Sequence, residues 1–194
     1  MKAAQDLSKA VTDEMQHLSM TGGCLQITLP KCDPWAGGME RCEFLVSGHA
    51  GATPRPLTKV ASGGELARIS LAIAVITAQI TPVPTLIFDE VDSGIGGAVA
   101  EVVGRLLRRL GHNRQVLCDT HLPQVAACAN NQWLVQKETH DEVTTSSLRP
   151  LSDEERIREI ARMAGGLQIT DATLKSAQEL IESAKRADGN VDKN

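Results

Sequence analysis

No stretch of this chain approaches the roughly 18 uninterrupted apolar residues that a membrane-spanning helix needs. Residues 1–16 alternate polar and apolar side chains without the apolar core of an export signal. The expectation is a soluble, cytoplasmic chain with no membrane partner. Cysteine is sparse and unpaired in pattern: Cys24, Cys32, Cys42, Cys118 and Cys128 are odd in number and irregularly spaced, with no Cys-x-x-Cys and no paired histidines nearby. That pattern favours structural thiols in a reducing compartment over a zinc-type ligand set or a disulfide framework. Neither charge sign dominates, with 20 Lys and Arg against 24 Asp and Glu for a net −4. Any nucleic-acid contact therefore needs a local basic patch rather than a general positive field. Internal repeats and low-complexity segments are also absent.

What is present, 194 residues of which 42% are hydrophobic, suffices for one sizeable core. Ala4, Leu7, Val11 and Leu18 recur at three- and four-residue intervals, with Met15 nearest the break, and predict an amphipathic helix over 3–18. It serves either as the end of a coiled coil or as an ordinary core-packing helix. Residues 24–29 and 41–46 alternate like strands around a turn-rich segment at 30–38. An apolar helix over 66–80 is stopped by Pro82 and Pro84, and the run at 85–88 reads as a strand covered on both faces. An amphipathic helix over 99–110 and a strand at 115–118 complete a parallel crossover unit. Strands at 133–136 and 143–148 turn around His140 and Asp141. Ser152 and Glu155 have the spacing of a capping box for a helix through Met163, closed by Gly165 and Gly166. A last helix covers 171–186.

Four short signals occur in order: Ala61-Ser62-Gly63-Gly64-Glu65-Leu66, Thr85-Leu86-Ile87-Phe88-Asp89-Glu90, Val91-Asp92-Ser93-Gly94 and Asp119-Thr120-His121. In the first, Ser62 and Glu65 fit a capping box, which leaves two glycines in the first turn unexplained. Glycine there costs about 1 kcal/mol relative to alanine but opens backbone N–H groups to a close anion. Such a helix start is a phosphate site, its dipole worth roughly 0.3–2 kcal/mol. Asp89 and Glu90 leave the carboxyl end of a strand, where ligands bind in open α/β sheets; a solvated acidic turn is the lesser alternative. Adjacent strand side chains face opposite ways, so the two carboxylates need not share a role. The Gly-rich stretch 92–97 also serves as a simple helix-entry loop. His121 follows the strand at 115–118, beside the two acids if the strands are neighbours.

In this order the signals resemble the signature motif, Walker B strand, D-loop and switch histidine of the ABC ATPase superfamily. Over residues 5–181 the chain most resembles the RecN family of DNA-repair ATPases, an SMC-like branch, through VASGGELAR at 60–68, TLIFDEVDSGIGG at 85–97, QVLCDTHLPQVAA at 115–127 and EIARMAGG at 159–166. Ser93 and Asp119 depart from it, standing where that family carries more apolar residues.

The resemblance implies an α/β fold, the C-terminal portion of an ABC-type P-loop ATPase head, with a largely parallel sheet flanked by helices. It places a short coiled-coil end at 1–20, the head lobe at 21–187 and a flexible tail at 188–194. The implied cofactors are ATP and Mg2+. Asp89 would hold the Mg2+ shell, Glu90 would orient and polarise the attacking water, and His121 would contact the γ-phosphate. Ser62, Gly63, Gly64 and Glu65, with Asp92 of the D-loop, would meet the nucleotide held by an opposite head.

The P-loop itself, G-x-x-x-x-G-K-[ST], is absent, since no glycine here is followed by Lys and then Ser or Thr. The expected partners are the N-terminal half of the same protein, carrying the Walker A motif; a second head, forming a homodimer on ATP binding; and DNA in the intact, nucleoid-associated protein, which would act in double-strand break repair and recombination. Two other readings remain open. One is a fragment of a transporter ATPase subunit, whose signature more usually ends in Gln than in Glu65. The other is a head-like interaction module without turnover. Arg105, Arg108, Arg109 and His112 share a helical face, with Arg114 just beyond, and are the best local DNA-contact set; a solvated face opposite an apolar one explains them more plainly.

Overall fold

The computed structural model describes residues 2–60, 62–78, 83–140, 143–165 and 168–188. The first helix, α1 (Lys2–His17), buries Val11 and Met15 completely, with Leu18 and Met20 just past its end also in the core. It lies on β1 (Cys24–Thr28). Ser8 Oγ accepts the Ile27 backbone N–H at 3.0 Å, and Thr12 Oγ1 accepts that of Leu25 at 3.0 Å. Four residues of helix rise about 6 Å and two residues of strand advance about 6.7 Å, so the two hydroxyls meet alternate peptide groups along the strand edge. An edge that would otherwise present unpaired donors is thereby covered.

After β1 the chain forms β2 (Lys31–Trp35), β3 (Gly38–Glu40), β4 (Glu43–Ser47) and the two-residue β5 (Arg55–Pro56). β1 and β4 pair antiparallel from Cys24↔Ser47 to Thr28↔Glu43, as their alternation suggests, and β5 adds to β4. The segment expected only to turn contains a hairpin instead, β2 pairing with β3. Its residues are exposed or half-exposed, so no apolar alternation announces it.

Helix α2 (Gly63–Thr77) begins at the glycine pair itself; Pro82, expected to stop it, lies outside the described residues. β6 (Thr85–Phe88), α3 (Gly97–Leu110) and β7 (Gln115–Cys118) form the anticipated crossover, with β6 and β7 parallel from Thr85↔Gln115 to Phe88↔Cys118. This is the one parallel pair among the described residues; the other ladders are antiparallel, so the parallel part is narrower than expected. The expectation that β6 is covered on both faces is corrected. Phe88 is buried, but Ile87 is 74% exposed and its neighbour Leu117 48%. Four residues without a polar punctuation are too few to show which face is open.

Helix α4 (Pro123–Cys128) crosses α3 closely: a methyl on Gly104 would sit 2.8 Å from Cys128 Sγ. β8 (Trp133–His140) and β9 (Val143–Pro150) make an antiparallel hairpin whose turn residue Asp141 lies outside the described set. The closing helices are α5 (Asp153–Gly165) and α6 (Asp171–Asp188). The capping box at α5 is complete: Ser152 Oγ accepts from Glu155 N, and Glu155 Oε2 accepts from Ser152 N at 2.9 Å. Gly166 and residues 189–194 fall outside the described residues.

Ala126 and Ala127 of α4 pack with Ile160, Ala161, Ala177 and Ile181 in a second, smaller core. Arg156 enters it almost fully buried and donates to the carbonyls of Ala126, Ala127, Ala129 and Asn130. No helix among the described residues is long and apolar enough to cross a membrane.

Candidate functional site

The register Phe88↔Cys118 sends the next residues of both strands out side by side, Asp89 and Glu90 from β6 and Asp119, Thr120 and His121 from β7. Asp89, Glu90, Asp119 and His121 are exposed there. Asp119 and Asp89 are close enough to share a hydrogen bond. Burial, the Asp89 charge and that bond raise the Asp119 carboxyl above the usual carboxylate range, against a lowering contribution from the Glu90 backbone N–H. Just behind, burial and the charges of Asp92, Asp119 and Asp89 push the Cys118 thiol up to about 12, which keeps it protonated and unreactive. All five cysteines are free thiols.

Glu90 has φ +56°, a left-handed conformation uncommon for a residue with a side chain and found disproportionately at functional sites. It reverses the chain after β6, and Val91 and Asp92 then turn inward. Asp92 Oδ2 accepts the Thr120 hydroxyl and, at 3.2 Å, the His121 backbone N–H, while Oδ1 lies 3.3 Å from His121 Nδ1. The loop is held from the other side by Arg68 of α2, whose guanidinium donates to the Ser93 carbonyl at 2.6 Å. Burial lowers the Arg68 pKa and the charge of Glu65 opposes that shift.

At the start of α2, Ser62 is an exposed N-cap whose hydroxyl accepts the Glu65 N–H at 3.3 Å. The Glu65 carboxylate lies beside Gly48, an oxygen 3.2 Å from where a Cβ on that glycine would stand. The two glycines differ in their surroundings. Gly63 is exposed, with the tip of the Glu90 carboxylate filling the place of a Cβ; Gly64 is buried, its Cβ position 2.9 Å from both the Ser93 carbonyl oxygen and Ser93 Cβ. Gly64→Ala must therefore move backbone and is expected to cost about 1–3 kcal/mol. Gly63→Ala need only displace the end of a flexible side chain and should leave stability nearly unchanged. Thermal melts of the two variants check this, and equal losses would contradict it.

The chemistry of these donors suits a nucleoside triphosphate with its cation. Among the described residues no three His, Cys, Asp or Glu side chains form a metal cage. Mg2+ does not ask for one, being held by one or two carboxylates together with phosphate oxygens and water. Asp89 and Asp119, two carboxyl groups within hydrogen-bond reach of each other, offer that pair. The basic set is engaged within the chain: Arg105 with Glu101 at 2.5 Å, Arg109 with Glu14 at 4.0 Å, Arg108 with the Cys128 carbonyl at 3.0 Å, and Arg114 with the Ala78 carbonyl.

Residue patterns alone did not single out Arg68 or Thr120. Arg68 was detectable as the single charged residue between 66 and 78, in a helix otherwise apolar enough to be core. Thr120 has no such signal, since its partner is 28 residues away.

The chain matches no protein-family model. It is 47% identical to the DNA repair protein RecN of Vibrio cholerae over 186 residues, 95% of this chain and 34% of that protein. It is 47% identical to RecN of Xylella fastidiosa over 184 residues, 93% and 33%, and 41% identical to RecN of Streptomyces coelicolor over 197 residues, 95% and 34%. The chain thus spans about a third of the length of these relatives. Among solved structures, the Smc head domain with a coiled coil and joint from Pyrococcus yayanosii superposes with TM-score 0.60 at 22% identity, over 84% of this chain and 30% of that one. A Pyrococcus furiosus Smc head with an extended coiled coil gives 0.55 at 23%, over 84% and 39%. At that identity the likeness is one of fold.

Proposed function

Since the chain belongs to the RecN family of DNA repair proteins, we propose that it is the C-terminal part of an ATP-hydrolysing, SMC-like head that acts in the repair of DNA breaks by recombination. The observation that carries this reading is the side-by-side exit of Asp89-Glu90 and Thr120-His121 from two paired parallel strands. In this assignment Asp89 holds the Mg2+ shell. Glu90 is the acceptor for a proton of the attacking water. His121 offers its exposed edge to the γ-phosphate. Ser62 and Gly63 present a hydroxyl and open amides at the positive end of α2, as a phosphate site requires. When bound, ATP and Mg2+ supply the transferable phosphoryl group and the neutralisation of its charge.

In this reading α2 serves a nucleotide held by a second head. Glu90 must then turn away from Gly63, against which it lies within the same chain. The P-loop comes from another part of the protein, and the open face of β6 and β7 supports such a partner. Purely parallel strands are found covered on both faces, yet Ile87 and Leu117 stand in solvent. Residues 1–20 then lead from the coiled coil into the head. A transporter ATPase shares the ATP chemistry but not the sequence likeness to repair proteins. A head without turnover is the alternative that experiment separates.

The test is reconstitution. Alone, the chain is expected to show no ATP turnover. Mixed with the P-loop-bearing remainder of its parent protein, it should restore magnesium-dependent hydrolysis. Turnover by the pure chain alone, or a stable mixed complex that hydrolyses nothing, would refute the assignment.

A further inference from the structure

Asp92 follows the strand-end acids closely in sequence but does not share their access to solvent, its side chain being 3% exposed. Both of its oxygens face the chain segment that leaves β7. Two donors, the Thr120 hydroxyl and the His121 backbone N–H, converge on Oδ2; Oδ1 faces His121 Nδ1 at 3.3 Å. The His121 side chain is otherwise open, at 68% exposure. The inner edge of its ring therefore lies against Asp92 at ion-pair range, and Nε2 has no partner among the described residues.

We propose that Asp92 is a positioning residue for His121, fixing the hydrogen on Nδ1 and so making Nε2 the nitrogen presented beside Asp89 and Glu90. Its resemblance to a D-loop residue suggested that Asp92 meets nucleotide directly. Its burial redirects that role, because a carboxylate enclosed by its own chain acts through what it holds. An ionised carboxylate has only acceptor sites, so the ring nitrogen that meets it must bring the hydrogen. A neutral His121 then carries its lone pair on Nε2. A protonated His121 donates from both edges, inward to Asp92 and outward to a phosphate oxygen, with its charge balanced on the inner side. In either state the edge that lies against Asp92 sets the ring plane, the usual way a second group fixes which histidine nitrogen is used. The proposal rests on the reading of His121 as a phosphate contact, but the tautomer is a property of the chain without nucleotide.

Asp92→Asn tests it with little change of shape. The Thr120 hydroxyl and the His121 N–H both donate, so they select the amide oxygen; the NH2 then faces Nδ1 and can only donate to it. The hydrogen on the ring must move to Nε2. Nitrogen-15 correlated NMR of the His121 ring in the 194-residue chain, at a pH where the ring is neutral, should show Nδ1–H in the wild type. It should show Nε2–H in Asp92→Asn, in a chain that still melts cooperatively. A wild-type ring protonated at Nε2 overturns the proposal, and so does a folded Asp92→Asn chain that keeps Nδ1–H. If the variant fails to fold, the wild-type spectrum decides by itself. In the reconstituted ATPase the variant should lose turnover about 10²-fold with KM little changed, the scale of a misplaced catalytic group. A reversed tautomer with full turnover would remove the catalytic part of the proposal. A wild-type mixture without turnover would count against the ATPase reading and leave the tautomer result standing.

Discussion

Replacing Glu90 with glutamine in the reconstituted ATPase is expected to reduce turnover by about 10²–10⁴-fold, the usual contribution of a positioned base, while nucleotide binding stays close to the wild-type level. The amide keeps the size and the left-handed backbone start of the side chain but cannot take a proton from water. Because the proposed site gives the cation to Asp89 and not to Glu90, the variant should still load ATP and Mg2+ and then stall. Steady-state hydrolysis measured beside nucleotide affinity separates the two effects. Unchanged hydrolysis would mean that another group removes the proton or that the head does no chemistry, and it would favour the reading of this chain as an interaction module. A parallel fall in binding and turnover would instead mean that Glu90 holds the ground state.

A second large effect is expected far from the strand ends, at Arg156. Arg156 is 6% exposed, and its guanidinium donates to four backbone carbonyls at and just past the end of α4. The last carbonyls of a helix have no partner within it, and α4 ends at Cys128 without a glycine cap. Arg156 supplies that cap from another helix. Burial lowers its pKa, with the charge of Asp153 opposing, yet an arginine remains charged at any ordinary pH. Arg156→Met fills similar space and takes the guanidinium from the Ala127, Ala129 and Asn130 carbonyls, while the Ala126 carbonyl keeps the Ala129 N–H; each carbonyl left unsatisfied costs about 1–3 kcal/mol. Since such losses are not additive, the expected destabilisation is about 3 kcal/mol or more, read from urea unfolding of the chain. A loss below about 1 kcal/mol would show that water replaces the guanidinium without penalty.

The two effects mark the division between what the residue pattern revealed and what it hid. Local, one-dimensional signals translated well: the complete box at Ser152 and Glu155, the crossover from β6 through α3 to β7, and the motif ends that the pairing Phe88↔Cys118 brings together. Each depends on spacing within a few residues or on strand polarity. The features that escaped depend on partners distant in the chain. Arg156 reads as an ordinary charge in the first turn of an amphipathic helix until the carbonyls 26 to 30 residues earlier are seen around it. Asp92 sits in a Gly-rich loop that looks exposed, and its burial follows only from the return of Thr120 and His121 beside it. The run at 85–88 hid its open face because apolar residues on both sides of a strand look alike whether or not something covers them. The α2 glycines looked equivalent in the motif and are not, since one faces a side-chain tip and the other a backbone.

The seating of α1 on β1 has a mechanical consequence. Ser8 and Thr12 engage the strand like two teeth in a rack, their pitch set by the near-equality of one helical step and one strand step. Sliding the helix by a single residue would disengage both teeth at once and bare two strand amides together. A pull or twist arriving along α1 is therefore passed on to the sheet as motion of a rigid body until the load is enough to strip both teeth.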